Sequence, residues 1–221
     1  MRTNDKQQPS SPGPTPANRR ADRQRALADH KRQAIVDAAK QVFQERGLEG
    51  ASIREIAKRA GYTPGALYFH YRGKEEIYGE ILADSLERLN AAVTAAGTAT
   101  RTSRTRLRAK ALGFFSFYAE NPRDLDLGFY LFQGMKPHGL TPELNAALNK
   151  RLRDALAPIE DILGGMGVKQ EHALREATSL FAHCAGLLLM QHTSRIKIFH
   201  QDATALFKDY VDRLYERHAG N

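Results

Sequence analysis

Residues 62–76 read YTPGALYFHYRGKEE. Four ring-bearing residues stand in a row, Tyr68, Phe69, His70 and Tyr71, and Lys74 follows where the next helix is expected to begin. Consecutive helical positions point about 100° apart, so four adjacent rings span the circumference and cannot all face one core. Some of them must meet something other than their own domain.

The flanking residues say what kind of element this is. Upstream, Ser52-Ile53-Arg54-Glu55 has the spacing of a capping box, with Ser52 as N-cap and Glu55 three residues on. Ile53, Ile56, Ala57 and Ala60 form the inward stripe of that helix, and Gly61 ends it. A turn of one or two residues then leads to Thr63 as cap and Pro64 at the first helical position, where a missing N–H costs nothing. Two short helices so tightly joined cross steeply, with small Ala57 allowing close approach and Leu67 reaching back into the core. This spacing predicts a helix-turn-helix.

Working outward, residues 1–28 carry Pro9, Pro12, Pro14 and Pro16, then Arg19, Arg20, Arg23 and Arg25. That composition predicts a disordered basic arm with helical character only toward its end. A helix with Ile35, Ala39, Val42 and Phe43 on one face follows and closes at Gly47. Beyond Lys74 a long helix is expected to about Ala96, then a loop over 97–105. Further helices are expected near 105–120, 122–133, 142–163, 169–196 and 202–218, with Asn121-Pro122 and Thr141-Pro142 repeating the cap-then-proline pattern. No segment alternates convincingly. The expected fold is all-α: an arm (1–28), a three-helix helix-turn-helix DNA-binding domain (29–76), and a C-terminal helical bundle (77–221) for effector binding and dimerisation.

Charge is distributed unevenly over this plan. Residues 1–74 hold 15 Lys/Arg against 7 Asp/Glu, whereas residues 75–221 hold 18 of each, so the whole net charge of +8 sits in the first third. A polyanion-facing region is implied. The single cysteine, Cys184, excludes an internal disulfide and a Cys-based metal cluster, and a reducing, cytoplasmic setting fits. No apolar run reaches membrane-spanning length, so no membrane association is expected.

In a helix-turn-helix the second helix offers its leading end and one flank to the major groove. Gly65 and Ala66 leave little bulk there. Leu67 and Tyr71 share the inward flank, which turns Tyr68, Phe69 and His70 outward. Tyrosine and histidine can donate to phosphate oxygens, and an exposed phenylalanine can meet a thymine methyl or a sugar. Lys74 opposes the macrodipole at its helix start, and a phosphate bound at the same terminus would explain it.

Residues 34–82, through Phe43, Gly47, Ser52-Ile53-Arg54-Glu55-Ile56-Ala57, Ala60-Gly61, Leu67-Tyr68, Tyr71 and Lys74, resemble the DNA-binding domain of the tetracycline-repressor (TetR) family of bacterial transcriptional regulators. The resemblance implies that Thr63, Pro64, Gly65 and Ala66 approach bases. It also implies that Tyr68, His70 and Lys74 contact phosphates, and that Ser52 and Arg54 approach the DNA backbone. Pro64, Gly65 and Ala66 lack side-chain hydrogen-bonding groups, which leaves direct base readout to few residues and gives DNA shape and the basic arm more weight.

Seven of the eighteen aromatic side chains fall between Phe114 and Phe132. They can wall an apolar effector cavity or form ordinary bundle core. The resemblance implies an inducer pocket here, and Phe114, Phe117, Tyr118, Phe129, Phe132, His183 and Leu187 are the candidate lining. Phe181, Ala185, Leu189, Phe207, Tyr210 and Leu214 on the last two helices are the candidate interface of a homodimer. Such a dimer would set two recognition helices about 34–36 Å apart on a palindromic double-stranded operator.

No residues line up as a catalytic set, and an enzyme is not expected. No metal is expected at His183, Cys184 and His192, which lack the i, i+4 spacing of a ligand pair. Nothing calls for a cofactor. Two readings differ in class: a repressor released from DNA by a small effector, and a helical adaptor that docks other proteins through its small N-terminal domain.

Overall fold

Gly47 and Gly61 break the N-terminal helices where positive φ is needed, at 68° and 74°. In the computed structural model, which describes residues 16–129 and 140–220, α1 (Pro16–Gly50) kinks at Gly47. It is followed by α2 (Ile53–Ala60), α3 (Pro64–Tyr68) and α4 (Lys74–Ala95). The rest of the described chain is α5 (Ser103–Glu120), α6 (Pro122–Phe129), α7 (Pro142–Gly165), α8 (Gln170–His192), a 3-10 turn at Arg195–Phe199, and α9 (Ala203–His218). No strand occurs among the described residues. The all-α expectation holds.

The head is built by α1 to α3 with the start of α4. Ile35, Ala39 and Val42 of α1, Ile56 and Ala57 of α2, Leu67 of α3 and Ile77 of α4 are all essentially removed from solvent. Tyr78 also belongs to this core, its ring edge-on to Phe43 at 5.4 Å. α4 is the shared element. Its 22 residues span ~33 Å, with Ile77 in the head and Leu86, Leu89 and Val93 in the body.

In the body, α4 packs on α5 and α7, and α9 closes against α5 and α8. Small residues set two of these approaches. A side chain on Gly79 would come within 2.6 Å of Leu144 on α7, and one on Gly113 within 2.8 Å of Ala96. The body core runs through Leu107, Phe114 and Phe115 of α5, Ile159 and Leu163 of α7, Leu180 and Leu188 of α8, and Phe207 and Leu214 of α9.

Two boundaries differ from expectation. The arm expected to be disordered over 1–28 is helical from Pro16 onward; residues 1–15 lie outside the described chain. The stretch 17–46 contains neither Gly nor Pro and is rich in Ala, Arg and Gln, all good helix formers. The helix expected to reach 196 stops at His192, where the Thr193 hydroxyl donates to the Leu189 carbonyl at 2.7 Å. Ser194 and His200 then take positive φ on either side of the 3-10 turn. The helix expected over 122–133 is described to Phe129, and its remainder lies outside the described residues.

Candidate nucleic-acid interface

The tip of α3 is held from within its own few residues. The Tyr62 amide donates back to the Ala57 carbonyl at 2.9 Å across the Gly61 cap, which fixes the α2–α3 turn. Thr63 Oγ1 accepts from the Ala66 amide at 3.3 Å, and Pro64 opens the helix. Thr63, Pro64 and Gly65 are exposed and Ala66 is half-buried. A Cβ built on Gly65 would meet no atom within 4 Å, so nothing in the fold requires glycine there. The space in front of it is free for an incoming molecule.

α3 ends at Tyr68, earlier than the ring sequence suggests. The Leu67 carbonyl accepts from both the His70 and Tyr71 amides, at 2.8 and 2.9 Å, and turns the chain. The four rings separate as expected. Tyr71 is 5% exposed, whereas Tyr68 is 59% and Phe69 86% exposed, with His70 exposed and edge-on to Phe69. Two large exposed rings on one small domain are the surface feature that needs a partner.

Tyr71 is anchored by groups that the sequence did not reveal. Its hydroxyl donates to Glu80 Oε2 at 3.0 Å, and Arg32 Nε donates to the other oxygen at 2.8 Å. Burial, with the Glu80 charge beside it, pushes the Tyr71 phenol up to about 12. Glu80 holds the Arg32 guanidinium above its ordinary range. The triad ties the end of α3 to α1 and α4 and so fixes the direction in which the exposed rings point.

At the start of α2, Ser52 Oγ accepts from the Glu55 amide at 3.3 Å, as a cap should. The capping box is half realised: the Glu55 carboxylate takes the Ser52 hydroxyl at 3.3 Å and pairs with Arg46 at 2.9 Å. Arg54 is exposed, as are Lys58 and Arg72, and none of the three side chains has a partner among the described residues. Lys74 corrects one step of the reading: no phosphate is needed to explain a lysine at the start of α4. Its Nζ donates to the Glu49 and Ala51 carbonyls at 2.9 and 3.0 Å. The lysine closes the end of α1 onto α4, which accounts for its position without a phosphate; one of its three protons remains to give.

The profile of bacterial regulatory proteins of the tetR family matches residues 35–81, which are the head just described. Over these residues the chain is similar to the TetR family of regulators. The transcriptional activator FasR of Mycolicibacterium smegmatis is 35% identical over 116 residues, 52% of each chain. The transcriptional repressor BepR of Brucella suis is 47% identical over 60 residues, 27% of this chain and 29% of that one. The chain thus spans about half of FasR and less of BepR. A tetR-family regulatory protein from Rhodococcus RHA1 shares the fold with a TM-score of 0.66 at 23% identity, over 86% of this chain and 97% of that one. These relatives are regulators, not enzymes.

In the body the expected effector lining is dispersed. Phe114, Phe117, Tyr118 and Leu187 are buried in packed core, and Phe114 meets Tyr118 and Phe181 edge-on. His183 instead stacks on Tyr210 at 4.4 Å. Phe132 and the Phe129 side chain lie outside the described residues. A cavity of about 480 Å³ opens elsewhere, between α1, α4 and α6. Phe43, Leu48, Tyr78, Ile81 and Leu127 supply its apolar wall, Lys40, Arg88, Arg123 and Asp124 are among the charged residues facing it, and none of the expected residues whose side chains are described lines it. Tyr78, whose hydroxyl donates to the Leu127 carbonyl, links head to body at this junction.

The expected interface needs a second correction. Phe207 and Leu214 are completely buried in their own chain, with Phe207 stacked on Phe115 at 4.7 Å, and cannot face another copy. Phe181, Ala185 and Tyr210 are half-buried, and Leu189 is 39% exposed. The amphipathic pattern marked these residues as apolar. It did not say which neighbour each would meet. No helix among the described residues is long and apolar enough to cross a membrane, and no group of metal-binding side chains occurs among them.

Proposed function

We propose that this chain is a ligand-responsive, DNA-binding transcriptional regulator that acts as a repressor from a palindromic operator. The observation that carries the reading is the α3 tip: Tyr68, Phe69 and His70 stand in solvent around an unobstructed Gly65, on a helix-turn-helix whose own core is complete. Thr63 to Ala66 approach base edges in the major groove, Phe69 meets a sugar or thymine methyl, and Tyr68, His70, Arg54 and Lys74 contact phosphates. The start of α2 at Ser52 lies against the DNA backbone.

The partner on the other side is a second copy. Between Ala177 and Ser194 no Asp, Glu, Lys or Arg occurs, in a chain that is 26% charged. Thr178, Ser179, Ala182, Gly186 and Leu189 on this stretch are exposed, a surface better suited to another protein than to water. Pairing there joins two heads into one palindrome reader.

The effector is a small molecule with an apolar part, and the junction cavity, where an apolar wall faces Lys40, Arg88, Arg123 and Asp124, is its best-supported seat. A ligand held between α1, α4 and α6 touches both head and body, so its binding favours one angle between them. α4 carries that angle from body to DNA. Selection of duplexes from a random-sequence pool by the full chain tests the DNA reading: an enriched palindrome is expected, and recovery of no binding sequence at low salt would refute it.

A further inference from the structure

α1 begins well ahead of the head. Arg20 and every residue from Asp22 to His30 are exposed, so this part of the helix has no support from packing. The 16 residues from Pro16 to Lys31 extend ~22 Å, enough to pass several successive phosphates along one strand. Its charges are sorted by side. Arg20, Arg23, Leu27, His30 and Lys31 follow one another at helical spacings of three, four, three and one, which keeps them on one face. Asp22, Arg25 and Asp29 fall on the opposite face, where Arg25 and Asp22 pair at 3.9 Å.

The basic face has a fixed bearing. Lys31 Nζ sits over the Tyr62 ring, 5.2 Å from its centroid, and Tyr62 is the residue immediately before the α3 cap Thr63. The stripe that ends against the helix-turn-helix turn therefore continues past it as Arg20, Arg23 and Leu27, and Leu27 is 63% exposed along that line. Acids on this stripe would oppose a polyanion, and there are none.

We infer that the extended start of α1 is a second DNA-contacting element, which lays the Arg20–Arg23–Leu27–His30–Lys31 face along the phosphate backbone beside the operator half-site. The inference rests on the DNA reading above. Arg20 and Arg23 neutralise phosphates, Leu27 covers a sugar, and the contact adds affinity without adding base preference. Its surface differs from that of α3 in carrying no groups aimed at base edges.

The test uses the full chain and the duplex that the wild-type chain selects. Affinity is measured against salt concentration for wild type, Arg20→Ala/Arg23→Ala and Arg25→Ala, all of which keep a good helix former at each position. The stripe variant is expected to have a log–log salt slope shallower by about 3.6, the equivalent of two phosphates in each half-site of the palindrome, with the base preference unchanged and the Arg25→Ala slope equal to wild type. An unaltered slope in the stripe variant, or a loss in Arg25→Ala as large as from one stripe arginine, would overturn the inference while leaving the α3 reading intact. Failure of the wild-type chain to bind any duplex would remove both.

Discussion

Lys74 Nζ lies 2.9 Å from the Glu49 carbonyl oxygen, so the first residue of α4 is fastened to the end of α1. A charged donor on two carbonyls contributes to holding the head closed before any DNA arrives. Lys74→Ala is expected to destabilise the chain by about 1.5 kcal/mol, the low end for hydrogen bonds to charged groups. It is also expected to weaken DNA binding similarly for all sequences. Thermal unfolding and salt-dependent titration check the two parts separately; an unchanged melting temperature would mean that the carbonyl contacts carry no weight.

Tyr71→Phe keeps the buried ring but removes the hydroxyl that donates to Glu80. A loss of about 1 kcal/mol is expected from denaturant unfolding. The phenol also makes a pH prediction. Its folded value of about 12 stands above the ordinary 10.0, so its contribution is full below pH 10 and is lost as pH rises toward 12. In spectrophotometric titration Tyr71, Tyr118 and Tyr210, all raised by burial, should ionise late, and Tyr71→Phe should lower that late amplitude by one tyrosine.

Gly65→Leu adds bulk where the fold has no neighbour within 4 Å. The variant is expected to fold and keep its oligomeric state while losing selected-duplex binding by at least 100-fold, on the order of 3 kcal/mol for a helix held off its groove. Sedimentation and anisotropy titration read the two properties. Retained affinity would show that the helix does not approach DNA closely at this residue.

Leu189→Asp places a charge on the uncharged, exposed side of α8. A monomer is expected in sedimentation, with unchanged helicity. A dimer of wild-type strength would move the interface elsewhere.

His183 is partly buried against Tyr210, and burial lowers its pKa. The folded chain then binds the proton less readily than the unfolded chain, so this group's contribution is present above the ordinary histidine pKa and is lost as pH falls below it. Melting temperature should drop on acidification from pH 7 to 5, and less steeply in His183→Gln. Equal slopes would show that His183 is not responsible.

Much of the head could be read from sequence because its signals are local. Gly47, Gly61, Thr63-Pro64 and the inward stripe of Ile53, Ile56 and Ala57 each act within a few residues, and the exposure of Tyr68, Phe69 and His70 followed from one helical turn. Lys74 on Glu49 and Tyr71 on Glu80 with Arg32 join residues distant in sequence, and no spacing rule announces such pairs. The body shows the same limit. Its helices are legible, but which side of α9 packs on α5 is not, and Phe207, expected at the interface, stacks on Phe115 instead. The junction cavity depends on how α1, α4 and α6 meet, which no one of their sequences encodes.

The most direct test of the central claim is photocrosslinking with benzoylphenylalanine at Phe69 in the full chain, irradiated with the duplex that the wild-type chain selects. An α3 tip seated in the groove predicts a covalent protein–DNA adduct that unlabelled selected duplex competes away. The same chain labelled at Phe199, exposed on the α8–α9 connection, should give none. Adducts at Phe199 with none at Phe69 would contradict the account.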